Sequence, residues 1–162
     1  MKSLKGARFQ NAESYFRRGI SFSNTGIYSP TFRLSHGGVF DQKGSCIFSE
    51  FLEPEYLLGI LSSTLFKYFV KSFINHGLDA QLDDLPIVIA SDDERTEVVA
   101  KVNEIIAYQK KNPEHDFRPQ LAELDQIVSK LYGLDKEEIL EVETWYRRRY
   151  VHLFETHVAP AL

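Results

Sequence analysis

A lone cysteine, Cys46, excludes an internal disulfide and any zinc site built from a cysteine cluster, so a reducing, cytoplasmic setting is the expectation. Catalytic signatures are also missing. No Gly-x-Ser-x-Gly elbow presents a nucleophile, and no glycine-rich loop is spaced to cradle a phosphate. His36, His76, His115, His152 and His157 are scattered, with no carboxylate or cysteine at ligand spacing. Asp41-Gln42-Lys43 has the Asp-x-Lys spacing with which some nucleases place a metal-binding acid beside a lysine. That chemistry needs a second acid upstream, where Glu13 stands alone, so a polar hairpin tip is the expected reading. No signal peptide is read at the start. Met1 is the single methionine and runs at once into a polar stretch, which reads as the interior of a longer protein. The stretch from Tyr56 to Ile74 is long enough for a membrane span, but Lys67 and Lys71, with Ser62, Ser63 and Thr64, give it a polar face, and no membrane partner is expected.

What is present is a chain of ordinary globular character, 43% apolar and 26% charged over 162 residues, enough for one real core. The net charge of −4 hides an asymmetry. Residues 1–77 hold nine Lys and Arg against five acids, +4, which leaves −8 for residues 78–162. A basic half suits an anionic partner, and an acidic half says that this partner does not wrap the whole chain.

The chain is organised around the stretch from Glu53 to Pro86. Pro54 fits a first helical position, and Leu57, Leu58, Leu61, Leu65, Tyr68, Phe69 and Phe73 recur at helical spacing, which predicts one long amphipathic helix ending at Asn75-His76-Gly77. A polar loop follows, and Leu85-Pro86-Ile87-Val88 returns to the interior as a strand-like segment. Upstream, Gly19 to Ser23, Ile27 to Leu34, Val39 to Asp41 and Ser45 to Ser49 read as strands. Turns at Asn24-Thr25-Gly26, Gly37-Gly38 and Gln42-Lys43-Gly44 separate them, and Pro30 marks an edge or bulge. Downstream, Ser91 with Glu94 forms a capping box before a helix to about Lys111, and Asn112-Pro113 breaks it. Leu121, Leu124, Ile127, Val128 and Leu131 mark a second helix closed by Gly133, and Asp135 with Glu138 opens a third that runs into Arg147-Arg148-Arg149. The expected class is α+β: a small antiparallel β-meander on a long helix in residues 1–90, then an antiparallel helical hairpin in residues 91–162 that packs on the sheet domain.

Candidate binding residues gather in the basic half. Tyr15, Phe16, Arg17, Arg18, Ser21, Ser23, Asn24, Thr25, Tyr28 and Arg33 put aromatic, guanidinium, hydroxyl and amide groups along the meander. Arginine binds phosphate or reads guanine bidentately, and Asn or Gln reads adenine, which is the chemistry of a DNA-reading surface. Arg17, Arg18, Arg33, Lys43, Lys67 and Lys71 are expected on one face as phosphate contacts. The loop from Asn75 to Gln81 is anchored at both ends and polar at its tip. It is expected to enter a groove with Asn75, His76 and Gln81 as base readers, beside the turn from Ser23 to Tyr28.

Arg18-Gly19-Ile20-Ser21-Phe22-Ser23, Phe32-Arg33, Gly38-Val39-Phe40-Asp41 and Gly44-Ser45-Cys46-Ile47-Phe48 together resemble the opening of a TaqI-like C-terminal specificity domain. Such domains belong to adenine-specific DNA methyltransferases of restriction–modification systems, some fused to endonucleases, and to related phage-defence enzymes. The helix from Leu57 to Phe69, the segment Gln81-Leu82-Asp83-Asp84-Leu85-Pro86-Ile87, and the tail around Leu124-Asp125-Gln126-Ile127-Val128 and Leu131-Tyr132-Gly133-Leu134 continue the likeness, which spans about Tyr15 to Tyr146. Phe22 stands where such domains often carry tryptophan. The cofactor-binding glycine motif and the Asn-Pro-Pro-Tyr motif of the methyltransferase are both absent. The resemblance therefore implies a non-catalytic reading module that recognises double-stranded DNA and presents an adenine to a separate methyltransferase domain, which would hold S-adenosylmethionine. The competing expectation is a helical protein–protein module that tethers a methyltransferase or nuclease subunit, with the sheet merely structural.

Overall fold

The structure, a computed structural model, describes residues 11–23, 29–40, 44–73 and 85–151. Three strands, β1 (Gly19–Ser23), β2 (Phe32–Ser35) and β3 (Gly44–Ile47), form an antiparallel sheet in the order β2-β1-β3. Five helices follow: α1 (Pro54–Ser62), α2 (Thr64–Phe73), α3 (Asp92–Lys111), α4 (Arg118–Leu131) and α5 (Lys136–Arg149). The α+β class is as expected, but the sheet is not a simple meander. β1 is central, and the chain between β2 and β3 crosses to its other edge, so Gly37-Gly38 does not close a hairpin. Val39 and Phe40, expected to begin a strand, lie outside the sheet on that crossing.

Alternation along β1 decides the two faces of the sheet. Ile20 and Phe22 point inward and are almost fully buried, and their cross-strand partners Leu34, Ile47 and Phe32 share that face. Phe32 sits at the join, with its ring 5.9 Å from Phe22 and 5.8 Å from Phe66 of α2. Helix α1 covers this inner face and is nearly buried along its whole length, from Glu55 to Ser62. Gly59 explains how α3 reaches it: a Cβ there would stand 2.6 Å from a methyl of Val98 and 3.1 Å from one of Val102, so the missing side chain lets the two helices approach. One core cluster runs from Ile20 and Phe22 through α1 to Val98, Val102, Ile105, Leu124 and Val128. Residues before and after position 90 therefore share a single hydrophobic interior.

The expected long helix is two helices. Ser63 takes an extended conformation (φ −64°, ψ 156°) and interrupts the ladder. Its hydroxyl donates to the Ile60 carbonyl at 2.7 Å and accepts from the Phe66 N–H at 3.1 Å, closing α1 and capping α2 with one group. The helical region that follows packs on itself and on the preceding helices: α3 and α4 pack on each other and on α1, while α5 packs on α2. Both expected capping boxes form, at Ser91 with Glu94 and at Asp135 with Glu138. Gly133 (φ 70°) ends α4 in the left-handed conformation, with the Leu134 N–H returning to the Ser129 carbonyl at 3.1 Å. Leu85-Pro86-Ile87-Val88 joins no sheet. Tyrosine hydroxyls hold it instead: Tyr56 donates to the Val88 carbonyl at 2.8 Å and Tyr132 to that of Pro86 at 2.7 Å. No helix among the described residues is long and apolar enough to cross a membrane.

Candidate nucleic-acid interface

The outer face of the sheet is where the expected polar groups converge. Ser21 and Ser23 alternate with the buried Ile20 and Phe22, and the register sets Ser21 between Arg33 on β2 and Cys46 on β3. Arg33 and Ser23 are exposed. The Ser21 hydroxyl donates to the Arg33 carbonyl and that of Ser23 accepts from the Thr31 N–H, both at 3.4 Å, leaving each oxygen further hydrogen-bonding capacity. Partial burial pushes the Cys46 thiol up to about 11, so it stays protonated at neutral pH. At one end of this face Phe48 lies across Gly19, where a Cβ would meet its ring at 2.8 Å. Phe40 meets Phe48 edge to face at 5.6 Å, and the Arg17 guanidinium sits over the Phe48 ring at 5.4 Å. The result is a surface of guanidinium, hydroxyl and aromatic groups backed by a rigid sheet.

The six expected phosphate contacts do not share this surface. Arg17 and Arg33 lie on it. Arg18, one residue out of phase, faces the helix side and pairs with Glu55, whose side chain is 10% exposed, so that it ties the start of β1 to the start of α1. Lys67 and Lys71 belong to α2, whose Phe66 meets Phe32 on the inner face of the sheet. Lys71 is half-buried near Arg149, and burial together with that like charge lowers its amine. Lys43 lies outside the described residues, as do Asn24, Thr25, Tyr28, Asn75, His76 and Gln81.

Lys67 has a structural environment rather than a solvated one. Its ammonium sits 5.3 Å over the Tyr146 ring, away from water, and burial lowers it, with Asp125 partly opposing that shift. Asp125, on α4, is not singled out by spacing or composition as anything but part of a tail. Its carboxylate accepts from the Thr64 N–H at 2.7 Å and from the Thr64 hydroxyl at 2.6 Å, which fixes the start of α2. Burial raises this carboxyl, and the Thr64 bonds and Lys67 pull the other way. The sequence signal for it is a lone acid between apolar positions Leu124 and Val128, and such an acid has no assigned partner until the helices pack.

On the far side, α2 and α5 bound an open groove of about 720 Å³ lined by Tyr68, Trp145, Leu140 and Thr144, with Glu137, Glu141, Arg148 and Arg149 around it. Tyr68 donates to Glu141 at 2.6 Å and meets Trp145 edge to face at 5.3 Å. Among the described residues no three His, Cys, Asp or Glu side chains come together as metal ligands. No family model, curated protein or solved structure matches this chain.

Proposed function

We propose that this chain is a sequence-specific reading module for double-stranded DNA, a non-catalytic part of an adenine-specific methyltransferase that positions the target adenine for a separate catalytic domain. The observation that carries the reading is the division of the sheet: one face is buried on α1, and the other bears Arg17, Arg33, Ser21 and Ser23 on a rigid support. Rigid backing matters because a reading group must not lose much entropy on binding. Arg17 and Arg33 supply phosphate or guanine contacts, and the hydroxyls supply adaptable ones. Asn75, His76 and Gln81, with Asn24 and Thr25, are the base readers that the sequence adds.

S-adenosylmethionine would belong to the catalytic domain. The groove between α2 and α5 has no glycine among its lining residues, so it offers no close backbone cradle for such a cofactor. The second reading, a module that tethers a methyltransferase or nuclease subunit, draws on that same groove and on Leu140, which is 63% exposed beside it.

Selection of bound sites from random duplexes at several salt concentrations tests the proposal. Arg17→Ala and Arg33→Ala are each expected to weaken binding and to reduce the salt slope by about one, if each meets a phosphate. Asn75→Ala or Gln81→Ala is expected to relax preference at one or two positions, at roughly 1–3 kcal/mol each. A stable complex with a partner subunit, and no salt-sensitive DNA binding, would replace this reading with the tethering one.

A further inference from the structure

Phe16 has an unfavourable backbone conformation and an exposed side chain. Its φ is 64°, in the left-handed region that bulky side chains rarely adopt, and the residue is 74% exposed, so core burial does not compensate. Phe16 lies in a local turn, with the Arg17 N–H donating to the Ser14 carbonyl at 3.4 Å, and the Gly37-Gly38 segment packs against it. The Phe16 N–H donates to the Gly38 carbonyl at 2.9 Å. Gly37, at φ 116°, lies so close that a Cβ would stand 2.9 Å from the Phe16 carbonyl oxygen. The Gly37-Gly38 segment thus packs on the Phe16 backbone instead of closing a hairpin turn. The next residue, Arg17, stacks on Phe48 at the end of the outer sheet face. A strained residue with an exposed aromatic ring beside an exposed guanidinium is a constellation found where strain serves binding.

We propose that Phe16 is a stacking wedge for duplex DNA: its ring enters a base step at the edge of the footprint while Arg17 holds the adjoining phosphate. This deepens the reading of the outer face as a DNA interface and rests on it. Apolar side chains inserted in this way unstack a step and kink the duplex, which recruits sequence preference through deformability.

The experiment uses the full chain and a labelled duplex carrying the site selected from random DNA, with 2-aminopurine placed at each step in turn. Wild-type protein is expected to brighten the probe at one step. Phe16→Gly is expected to raise the unfolding midpoint, because glycine takes this φ without strain. The same substitution should lower affinity about tenfold and abolish the brightening. Phe16→Trp should keep both binding signals. Stability and binding moving in opposite directions is a result that a purely structural role for the ring would not produce. Unchanged affinity and no responsive step, with wild-type binding intact, overturn the wedge and leave the interface standing. A lower unfolding midpoint in both Phe16→Gly and Phe16→Asn, which also tolerates this φ but lacks the backbone entropy of glycine, overturns the wedge by assigning the ring to the fold. No duplex binding by the wild-type chain overturns both.

Discussion

Replacing Asp125 with alanine is expected to destabilise the protein far more than removal of an exposed helical acid would. The carboxylate accepts two short hydrogen bonds from Thr64, at 2.7 and 2.6 Å, in a site shielded from water. A hydrogen bond to a charged group contributes about 1.5–3 kcal/mol, and loss of a helix cap alone costs about 1 kcal/mol. The two bonds share one carboxylate and one residue, so their losses overlap, and the expected cost of Asp125→Ala is about 3–4 kcal/mol. That is a large part of the roughly 5–15 kcal/mol that holds a typical domain folded. Asp125→Asn keeps the shape and one acceptor oxygen, and should cost about 1–2 kcal/mol. Lys67 loses its opposing charge in either variant. Lys67→Met is therefore expected to be milder in the Asp125→Ala background than alone, with a coupling of about 1 kcal/mol or more. Urea unfolding followed by circular dichroism and by Trp145 fluorescence measures the wild type, both single variants and the double. A cost below about 1 kcal/mol for Asp125→Ala would refute the assignment of Asp125 as a cap delivered from α4 to α2, and strict additivity with Lys67→Met would refute its charge coupling to Lys67.

The same pair makes stability depend on pH in two directions. The raised Asp125 carboxyl binds its proton more tightly in the folded state, so stability should fall as pH rises from 3.8 through the folded value. The lowered Lys67 amine does the opposite, with stability rising from its folded value up to 10.5, and Asp125→Asn and Lys67→Met should each flatten one limb of a stability-versus-pH curve. Gly59→Ala places a methyl 2.6 Å from Val98, and thermal unfolding should show a loss of about 1–3 kcal/mol from overpacking. Truncation at Pro113 removes Leu124, Val128 and the Asp125 cap, and is expected to abolish cooperative unfolding rather than to alter sequence preference in a folded remnant. A soluble, cooperatively folding truncation that had lost its DNA preference would move the reading surface into the C-terminal helices.

Local chemistry in the sequence was enough for most element identities. Pro54 at a first helical position, the capping boxes at Ser91 and Asp135, the stop at Gly133 and the alternation of Ile20, Ser21, Phe22 and Ser23 each depend on residues a few positions apart. These signals need no distant partner, so they survive folding unchanged. The basic half was also legible, because charge is counted without knowing where side chains point. What the tertiary structure decided lies wherever an interaction spans long separations. Ser63 breaks a helix that periodicity alone would continue, and it can do so because Asp125, 61 positions from Thr64, satisfies the freed N–H. The order β2-β1-β3 depends on which edge of β1 each flanking strand reaches, and alternation within a strand is silent on that. One residue of phase separates Arg17, stacked on Phe48 at the outer face, from Arg18, tied to Glu55 beneath the sheet. Composition treats the two arginines as equivalent, and the pleat of the sheet, which turns successive side chains to opposite faces, makes them different.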